Sequence, residues 1–249
     1  MSSKVYFASD LHLGAPAKVP SSERERLFVE WIKKVSTDAA EIHLLGDLFD
    51  FWFEYKRVVP KGGVRLLGAI AEASDKGIDI HWHAGNHDMW SFGYLEDELG
   101  ITFHHEPQIL SWDGITCLVG HGDGLGPGDR SYKFIKKLYK NKFCQWLLKI
   151  THPNFVLRLA NRLSTDSRAN GGRTGGEYKS PEHEYLYHYC KEQLANGLDV
   201  NYFVFGHRHI PLDIEISMGD KKARYINTGD WLTNFSYAVL ESGVLTLYK

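Results

Sequence analysis

The chain has 249 residues, of which 43% are hydrophobic and 24% are charged, and its formal net charge is −2. This composition predicts one sizeable globular domain over residues 1–249. No run of about 18 uninterrupted apolar residues is present, so we expect no membrane-spanning helix. The beginning of the chain, MSSKVYFAS, lacks the features of a signal peptide. Three cysteines without motif spacing are typical of a reducing compartment, and together these features favour a cytoplasmic protein.

Five apolar runs end at a small residue and are followed at once by side chains that bind metals. The runs are Val5–Ser9, Ile42–Gly46, Ile78–Gly85, Ile115–Gly120 and Tyr202–Gly206. Their length and glycine boundaries predict buried strands. Because ligands bind outside the carboxyl ends of strands in open α/β sheets, we expect the side chains that follow the runs to meet in one site. Those side chains are Asp10, His12, Asp47, Asn86, His87, His121, Asp123, His207 and His209.

Helical patterns separate these strands and a β-rich segment follows them. The helices are expected over Glu23–Val35, Gly63–Lys76 and Glu182–Ala195, and the β-rich segment runs from Leu212 to Leu247. The alternation predicts an α/β fold in which two packed sheets are flanked by helices.

Asp and Asn oxygens combined with imidazole nitrogens suit divalent ions such as Mn²⁺, Fe²⁺ or Zn²⁺. Two such ions about 3.5–4 Å apart would lower the pKa of an attacking water and neutralise phosphate oxygens. The pattern therefore favours hydrolysis of a phosphoester or a phosphoanhydride.

The other histidines are expected to be non-catalytic. His81 and His83 share a strand face and resemble a metal pair, but no carboxylate accompanies them in the sequence, which favours a structural role. The remaining ones lack partners in sequence: His43, His104, His105, His152, His183 and His188. Asp50 and Trp52, which follow Asp47, are expected to shape the loop.

One segment stands apart by its charge. Arg130 to Arg173 contains eleven basic residues and the single acid Asp166, a formal charge of +10, so the rest of the chain carries −12. Large apolar residues, among them Phe134, Leu138, Phe143 and Trp146, are interleaved with the basic ones. The combination predicts a helical cap over 125–180 that contacts an acidic lipid surface or an acyl chain, although some of its apolar residues must dock the helices. The return Ser164–Pro181 contains two Gly-Gly pairs and is expected to be a flexible loop.

The motifs D10-L-H12, G46-D47, G85-N86-H87-D88, G120-H121-G122-D123 and G206-H207-R208-H209 resemble those of the calcineurin-like metallophosphoesterase superfamily. The resemblance implies a four-layer αββα sandwich and two divalent ions, with Mn²⁺ expected and Fe²⁺, Zn²⁺ or Mg²⁺ as alternatives. It implies one ion bound by Asp10, His12 and His209 and another bound by Asn86, His121 and His207, with Asp47 bridging the two. His87 would then act beside the scissile phosphate, oriented by Asp88.

Within the superfamily, a helical insertion at this place resembles the UDP-2,3-diacylglucosamine pyrophosphohydrolases of lipid A synthesis. Those enzymes release UMP and 2,3-diacylglucosamine 1-phosphate at the cytoplasmic face of the inner membrane. The resemblance implies a lipid-linked nucleotide sugar as substrate, bound by Asn86, His87, Asp129, Tyr132, Ser164 and Arg168. The chain departs from many members at His87, where they have Arg, and a related branch that keeps His is the alternative.

Two other classes remain open from the sequence. A nucleic-acid phosphoesterase would account for the +10 charge by phosphate neutralisation, but it needs less apolar bulk and more stacking aromatic residues. A non-enzymatic scaffold would be expected to have lost metal ligands, and none of the expected ligands is missing. Oligomeric state is not indicated by any pattern in the sequence.

Overall fold

The computed structural model describes residues 4–127, 130–169 and 178–249, with the side chains at 130–132, 135, 161 and 163–169 left out. The strands are β1 Lys4–Ala8, β2 Ala39–Leu44, β3 Asp79–His83, β4 Thr102–His104, β5 Gln108–Trp112, β6 Ile115–Val119, β7 Tyr202–Phe205, β8 Pro211–Met218, β9 Lys221–Thr228, β10 Tyr237–Glu241 and β11 Val244–Tyr248. The helices are α1 Ser21–Val35, α2 Val64–Asp75, α3 Tyr94–Leu99, α4 Arg130–Lys140, α5 Lys142–Ile150, α6 Pro153–Ala169 and α7 Tyr185–Ala195.

The strands form two mixed sheets. One has six strands in the order β11-β10-β1-β2-β3-β4, in which β1 to β4 run parallel, and the other has five in the order β5-β6-β7-β9-β8. In the second sheet β6, β7 and β9 run parallel. The carboxyl ends of the parallel strands of both sheets therefore carry the loops that hold the predicted metal ligands.

Three apolar layers hold the sandwich together. Phe28, Ile32 and Ile70 of α1 and α2 pack under the six-stranded sheet. A central layer joins the two sheets through side chains such as Phe7 and Val204. A third layer packs α7 against the five-stranded sheet. The order of layers is helix, sheet, sheet, helix, which confirms the predicted fold class.

The predicted strands and helices are present, with ends that match or are shifted by at most three residues. The elements α3, β4 and β5 were not predicted, because α3 and β4 are too short to show a period and β5 lacks the apolar run that marks the buried strands. The expected return loop from Ser164 is wrong in its first part, because α6 continues to Ala169. No Gly or Pro interrupts 164–169, so the helix can extend, and the Gly-Gly pairs lie outside the described residues.

Among the helices of the described ranges, none combines the length and the apolar composition needed to cross a bilayer.

A buried arginine fixes the loop that follows β1. The side chain of Arg24 is fully buried in α1 and donates hydrogen bonds to the carbonyl oxygens of Val19, His12 and Ala15 at 2.5, 2.8 and 3.1 Å. Its Nε also donates to Leu11 O at 3.4 Å. The loop carrying Asp10 and His12 is therefore held from behind by one guanidinium group.

We predict that Arg24→Met lowers the free energy of unfolding by about 3 kcal/mol or more, because each buried carbonyl left without a donor costs roughly 1–3 kcal/mol. Urea denaturation of the metal-free protein measures the change. Arg26→Met is the matched control, since Arg26 is exposed on the same helix. Equal stabilities of the two variants would contradict this role of Arg24.

Candidate functional site

Five of the predicted metal-binding residues have a left-handed backbone. Asp10, His12, Asp47, His207 and His209 have φ between 45° and 66°. Such conformations cost about 1–3 kcal/mol each in residues other than glycine, and they cluster at functional sites. Their strain is opposed by backbone hydrogen bonds between the loops, for example His12 N to Asp47 O at 2.9 Å.

The first group of ligand atoms comes from the loops after β1 and β7. His209 Nε2 lies 3.3 Å from Asp10 Oδ1, and His12 Nε2 lies 3.6 Å from the same oxygen. The rings of His12 and His209 stack at 5.0 Å. One ligand atom from each of the three residues falls within 4.8 Å of the others, as metal ligands do.

The second group joins the loops after β2, β3, β6 and β7. His121 Nε2 lies 3.3 Å from Asp47 Oδ2 and 3.1 Å from His207 Nδ1. Asn86 Oδ1 lies 3.3 Å from His121 Nε2. The structure thus brings the amide oxygen and two imidazoles of the sequence prediction together beside Asp47.

Asp47 lies between the two groups. Its Oδ2 is 3.3 Å from His121 Nε2 and 3.6 Å from His12 Nε2, while its Oδ1 accepts a hydrogen bond from His87 N at 2.9 Å. Asp10 is held likewise, because its Oδ2 accepts from His207 N at 2.9 Å. In each aspartate, one oxygen accepts a hydrogen bond from a loop amide and the other lies near the histidine nitrogens.

Polar groups behind the rings fix the histidines. His121 Nδ1 donates to Leu45 O at 2.7 Å, and His209 Nδ1 lies 3.3 Å from Asp230 Oδ2. His12 Nδ1 lies 3.4 Å from Asp50 Oδ1. In His121 and His209 the engaged Nδ1 leaves Nε2 with the lone pair that a metal ion requires, and in His12 the Asp50 carboxylate faces Nδ1.

Asp50 and Asp230 were missed as site residues by the sequence reasoning. A signal existed for Asp230, because it follows Gly229 after β9, in the same way that Asp47 follows Gly46 after β2. Strand β9 runs parallel to β7, so its carboxyl end lies at the same edge of the sheet. Asp50 was expected only to shape its loop, and no sequence pattern distinguished it.

The role expected of Asp88 in orienting His87 is corrected by the contacts. The buried carboxylate of Asp88 accepts hydrogen bonds from Gly85 N at 2.8 Å, Leu48 N at 2.9 Å and Trp82 Nε1 at 3.3 Å. His87 Nδ1 instead bonds to Asp50 O at 2.7 Å. Two loop amides and the Trp82 indole of β3 donate to Asp88, which thereby holds the loops after β2 and β3 together.

Buried atoms without partners show that the site fits metal ions. Asp10 Oδ1 and His12 Nε2 are buried, and within the described structure they have no hydrogen-bond partner. An unsatisfied carboxylate oxygen facing an unsatisfied imidazole nitrogen is costly unless a cation lies between them. The donor set of oxygens and imidazole nitrogens suits divalent ions.

The charges of the site lead to the same conclusion. Burial raises the pKa of Asp10, but His209 and His12 outweigh it and bring the pKa to about 2. Burial lowers the pKa of His12 and of His121, yet the surrounding carboxylates raise each to about 10. Without metal ions the carboxylates attract protons onto neighbouring imidazoles, which marks a pocket built to hold positive charge.

Two glycines allow the loops to approach this closely. A Cβ on Gly85 would lie 2.1 Å from Asp47 Oδ1, and a Cβ on Gly206 would lie 2.6 Å from Asp10 Oδ2. Any larger residue would displace an aspartate whose other oxygen faces the metal position. The glycines of the G-N-H-D and G-H-R-H motifs are therefore spatial requirements of the site.

A cleft of about 320 Å³ lies beside the metal position, between the sandwich and the cap helices α4 and α5. Its lining includes Gly85, Met89 and Phe92 from the sandwich. Lys136, Lys140 and Lys142 line it from the cap side. Glu106 and Asp123 also line the cleft and pair with Lys140 and Lys136, so the cleft combines charged pairs with apolar surface next to the predicted catalytic loops.

The predicted substrate contacts from the cap are not placed by the structure. Asp129 lies outside the described residues. Tyr132 is part of α4, and Ser164 and Arg168 are part of α6, but their side chains are outside the description. Their substrate contacts remain predictions.

Comparison with known proteins gives a consistent picture. The family model of the calcineurin-like phosphoesterases matches residues 3–211. A UDP-2,3-diacylglucosamine hydrolase of Porphyromonas gingivalis is 36% identical over 99% of this chain and 97% of its own. One from Pseudomonas fluorescens is 25% identical over 91% and 87% of the two chains. Among solved structures, the phosphoesterase Yfce of E. coli matches 98% of this chain and 91% of its own, with a TM-score of 0.48 and 16% identity.

The family match covers most of the chain, and the ligand loops described above lie within it. The protein therefore belongs to the calcineurin-like phosphoesterases and is a metal-dependent hydrolase.

Proposed function

We propose that the protein hydrolyses the diphosphate of UDP-2,3-diacylglucosamine to UMP and 2,3-diacylglucosamine 1-phosphate. The observation that carries the proposal is the cap, which presents a basic and apolar surface beside the candidate metal centre. The names of the relatives support the same substrate. We place the reaction at the cytoplasmic face of the inner membrane, with the protein bound there peripherally.

The candidate centre would hold two divalent ions, and we favour Mn²⁺. Asp10, His12 and His209 would hold one ion, Asn86, His121 and His207 the other, and Asp47 would contact both. Bound ions of this kind lower the pKa of water and offset phosphate charge.

His87 is the candidate proton donor to the leaving phosphate. Its Nδ1 is engaged by Asp50 O, which leaves Nε2 available to the substrate. Burial lowers the pKa of His87, opposed in part by Asp47, so its protonated form is a stronger acid than free imidazole. The negative charge of a bound diphosphate favours the protonated form. Asp88 acts as a positioning residue, because it ties Gly85 to Leu48.

The cap is only partly docked onto the sandwich. Tyr139 and Leu148 pack against Phe53, Met89 and Trp90. Eight other large apolar side chains of the cap are 46% to 70% exposed: Phe134, Leu138, Phe143, Trp146, Leu147, Ile150, Phe155 and Leu159. An exposed apolar group of this size is typical of a surface that binds lipid or another partner.

The basic residues of the cap serve two purposes. Lys136 pairs with Asp123 at 2.7 Å, Lys140 pairs with Glu106 at 2.5 Å, and Lys149 lies 3.8 Å from the centre of the Phe92 ring. These contacts attach the cap to the sandwich. The remaining positive charge accompanies the exposed apolar side chains, a combination that binds anionic lipid surfaces. We infer that residues 125–180 form a cap inserted into one domain.

We predict that Asp47→Ala abolishes hydrolysis and lowers the metal content of the protein, because Asp47 faces both ligand groups. Metal analysis and turnover of a chromogenic phosphodiester measure the two effects. Asp75→Ala, at an exposed position on α2, is the matched control. Near-normal turnover with two bound ions in Asp47→Ala would contradict the shared-ligand assignment.

His87→Ala should retain both metal ions and slow turnover of the diphosphate by about 10²–10⁴-fold, the range for a lost general acid. Steady-state kinetics and metal analysis on the same sample test this, with exposed His188→Ala as the control. If metal were lost together with activity, His87 would be a ligand and the proton-donor role would be wrong.

The lipid role of the cap can be tested by removing apolar surface without removing helices. Phe143 and Trp146 stack on each other and are 67% and 53% exposed. The double variant Phe143→Ser, Trp146→Ser should reduce binding to phosphatidylglycerol vesicles, and kcat/KM on the diacylated substrate, by about tenfold or more. Hydrolysis of a small phosphodiester should be unchanged, because its phosphorus needs only the metal centre.

The matched control is Val64→Ser, Ile109→Ser, which removes two exposed apolar side chains outside the cap. Full vesicle binding and full lipid hydrolysis by the cap variant would contradict the proposal. Retention of single-stranded DNA instead of vesicles by the unmodified protein would favour a nucleic-acid substrate.

A further inference from the structure

A second cluster of histidines lies on β2, β3 and β4, outside the proposed dinuclear centre. In the parallel register Glu41 pairs with Asp79 and His43 pairs with His81, so these side chains are neighbours across adjacent strands. The His43 ring also contacts Trp112 of β5 at 5.3 Å, which places it between the two sheets. The neighbouring strand thus supplies the carboxylate of Glu41 beside His81, in addition to Asp79, which precedes His81 by two residues in the sequence.

The ligand-type atoms of this cluster converge on one oxygen. Glu41 Oε2 lies 3.1 Å from His43 Nε2 and 3.8 Å from His81 Nε2. The two imidazole rings are nearly parallel, 7° apart, with their centres separated by 4.5 Å. Glu41, His43 and His81 each place one ligand atom within 4.8 Å of the others.

A second carboxylate lies next to His81. Asp79 Oδ2 lies 3.5 Å from His81 Nε2. The side chains of Glu41 and His81 are 25% and 14% exposed, and that of Asp79 is 65% exposed. An ion from solvent can therefore reach the cluster without opening the fold.

The groups behind these ligands are arranged as they are in metal sites. His43 Nδ1 lies 3.1 Å from His83 Nε2, and His81 Nδ1 lies 3.0 Å from His104 Nε2. When each Nδ1 donates its proton backward, each Nε2 is left with a lone pair toward Glu41. Trp112 Nε1 donates to Glu41 Oε1 at 2.7 Å, which leaves Oε2 for the histidines.

A purely structural role explains this arrangement less well. Apolar side chains would fill the space between two sheets at lower cost than buried imidazoles, which must each satisfy two nitrogens. A bound ion would satisfy two of the rings directly and orient the two behind them.

We propose that Glu41, His43 and His81 bind a third metal ion, with Asp79 as the fourth ligand. Two imidazole nitrogens and two carboxylate oxygens suit tetrahedral Zn²⁺ better than Mn²⁺ or Mg²⁺, which prefer more oxygen ligands. The ion would tie β2 to β3, the strands that lead to Asp47 and to Asn86. Its effect is on stability, separate from the hydrolytic reaction.

The test is the stoichiometry of bound zinc in the full-length protein. The protein is stripped with chelator, equilibrated with buffered Zn²⁺, and measured by mass spectrometry of the metal. The unmodified protein should bind three ions per chain, whereas Glu41→Gln and His81→Gln should bind two. Glu41→Gln keeps an oxygen for Trp112, and exposed His183→Gln is the matched control that should still bind three.

A variant that keeps all the proposed ligands but weakens zinc binding distinguishes a metal site from a packing role. His104→Phe leaves the direct ligands in place and removes only the hydrogen bond behind His81, so the affinity for the third ion should fall about 10–100-fold. Thermal melts check folding. In chelator, Glu41→Gln and the unmodified protein should melt alike, and excess Zn²⁺ should raise Tm more in the unmodified protein.

Two results would overturn the proposal. One is a zinc content of two in the unmodified protein under conditions that fill the dinuclear centre. The other is an equal zinc content in the unmodified protein, Glu41→Gln and His81→Gln, which would assign the cluster to packing alone.

Discussion

The Asp47 carboxylate divides its two oxygens between the fold and the candidate metal centre, and the rest of the site depends on that division. Oδ1 accepts the backbone N–H of His87, which joins the loop after β2 to the loop after β3. Oδ2 faces His12 of the first ligand group and His121 of the second. The geometry is possible only because Gly85 leaves room for the carboxylate.

The same loops are held in strained conformations by the sandwich beneath them. Left-handed backbone at Asp10, His12, Asp47, His207 and His209 is stabilised by the hydrogen bonds that link neighbouring loops. Arg24 adds support from α1. The packed layers thus offset the free-energy cost of these left-handed conformations. The conformations in turn place ligand oxygens and nitrogens from the loops of both sheets around a common position.

Much of this site could be predicted from the sequence because its ligands follow buried strands directly. The apolar runs before Asp10, Asp47 and His121 determine where each strand ends, and parallel strands bring those ends to one edge. The contacts of Asp88 and Asp50 could not be predicted, because they depend on which loop donors reach each carboxylate. Glu41 was missed as the partner of His81 for a related reason: the register between β2 and β3 is not visible along one strand.

The cap shows a different limit of sequence reasoning. Charge and apolar content over 130–173 predicted an amphipathic helical segment, and α4, α5 and α6 lie there. Which apolar residues dock and which face solvent depends on tertiary packing. Tyr139 and Leu148 contact the sandwich, whereas Phe143 and Trp146 are exposed.

We propose that a metal-dependent centre beneath this cap hydrolyses a lipid-linked nucleotide diphosphate. Incubation of the purified protein with UDP-2,3-diacylglucosamine, with Mn²⁺ or with chelator, tests it most directly when the phosphorus of the products is followed. We expect equal amounts of UMP and 2,3-diacylglucosamine 1-phosphate with Mn²⁺, and neither product with chelator. An intact lipid substrate in the presence of Mn²⁺, under conditions in which the same sample hydrolyses a simple phosphodiester, would contradict it.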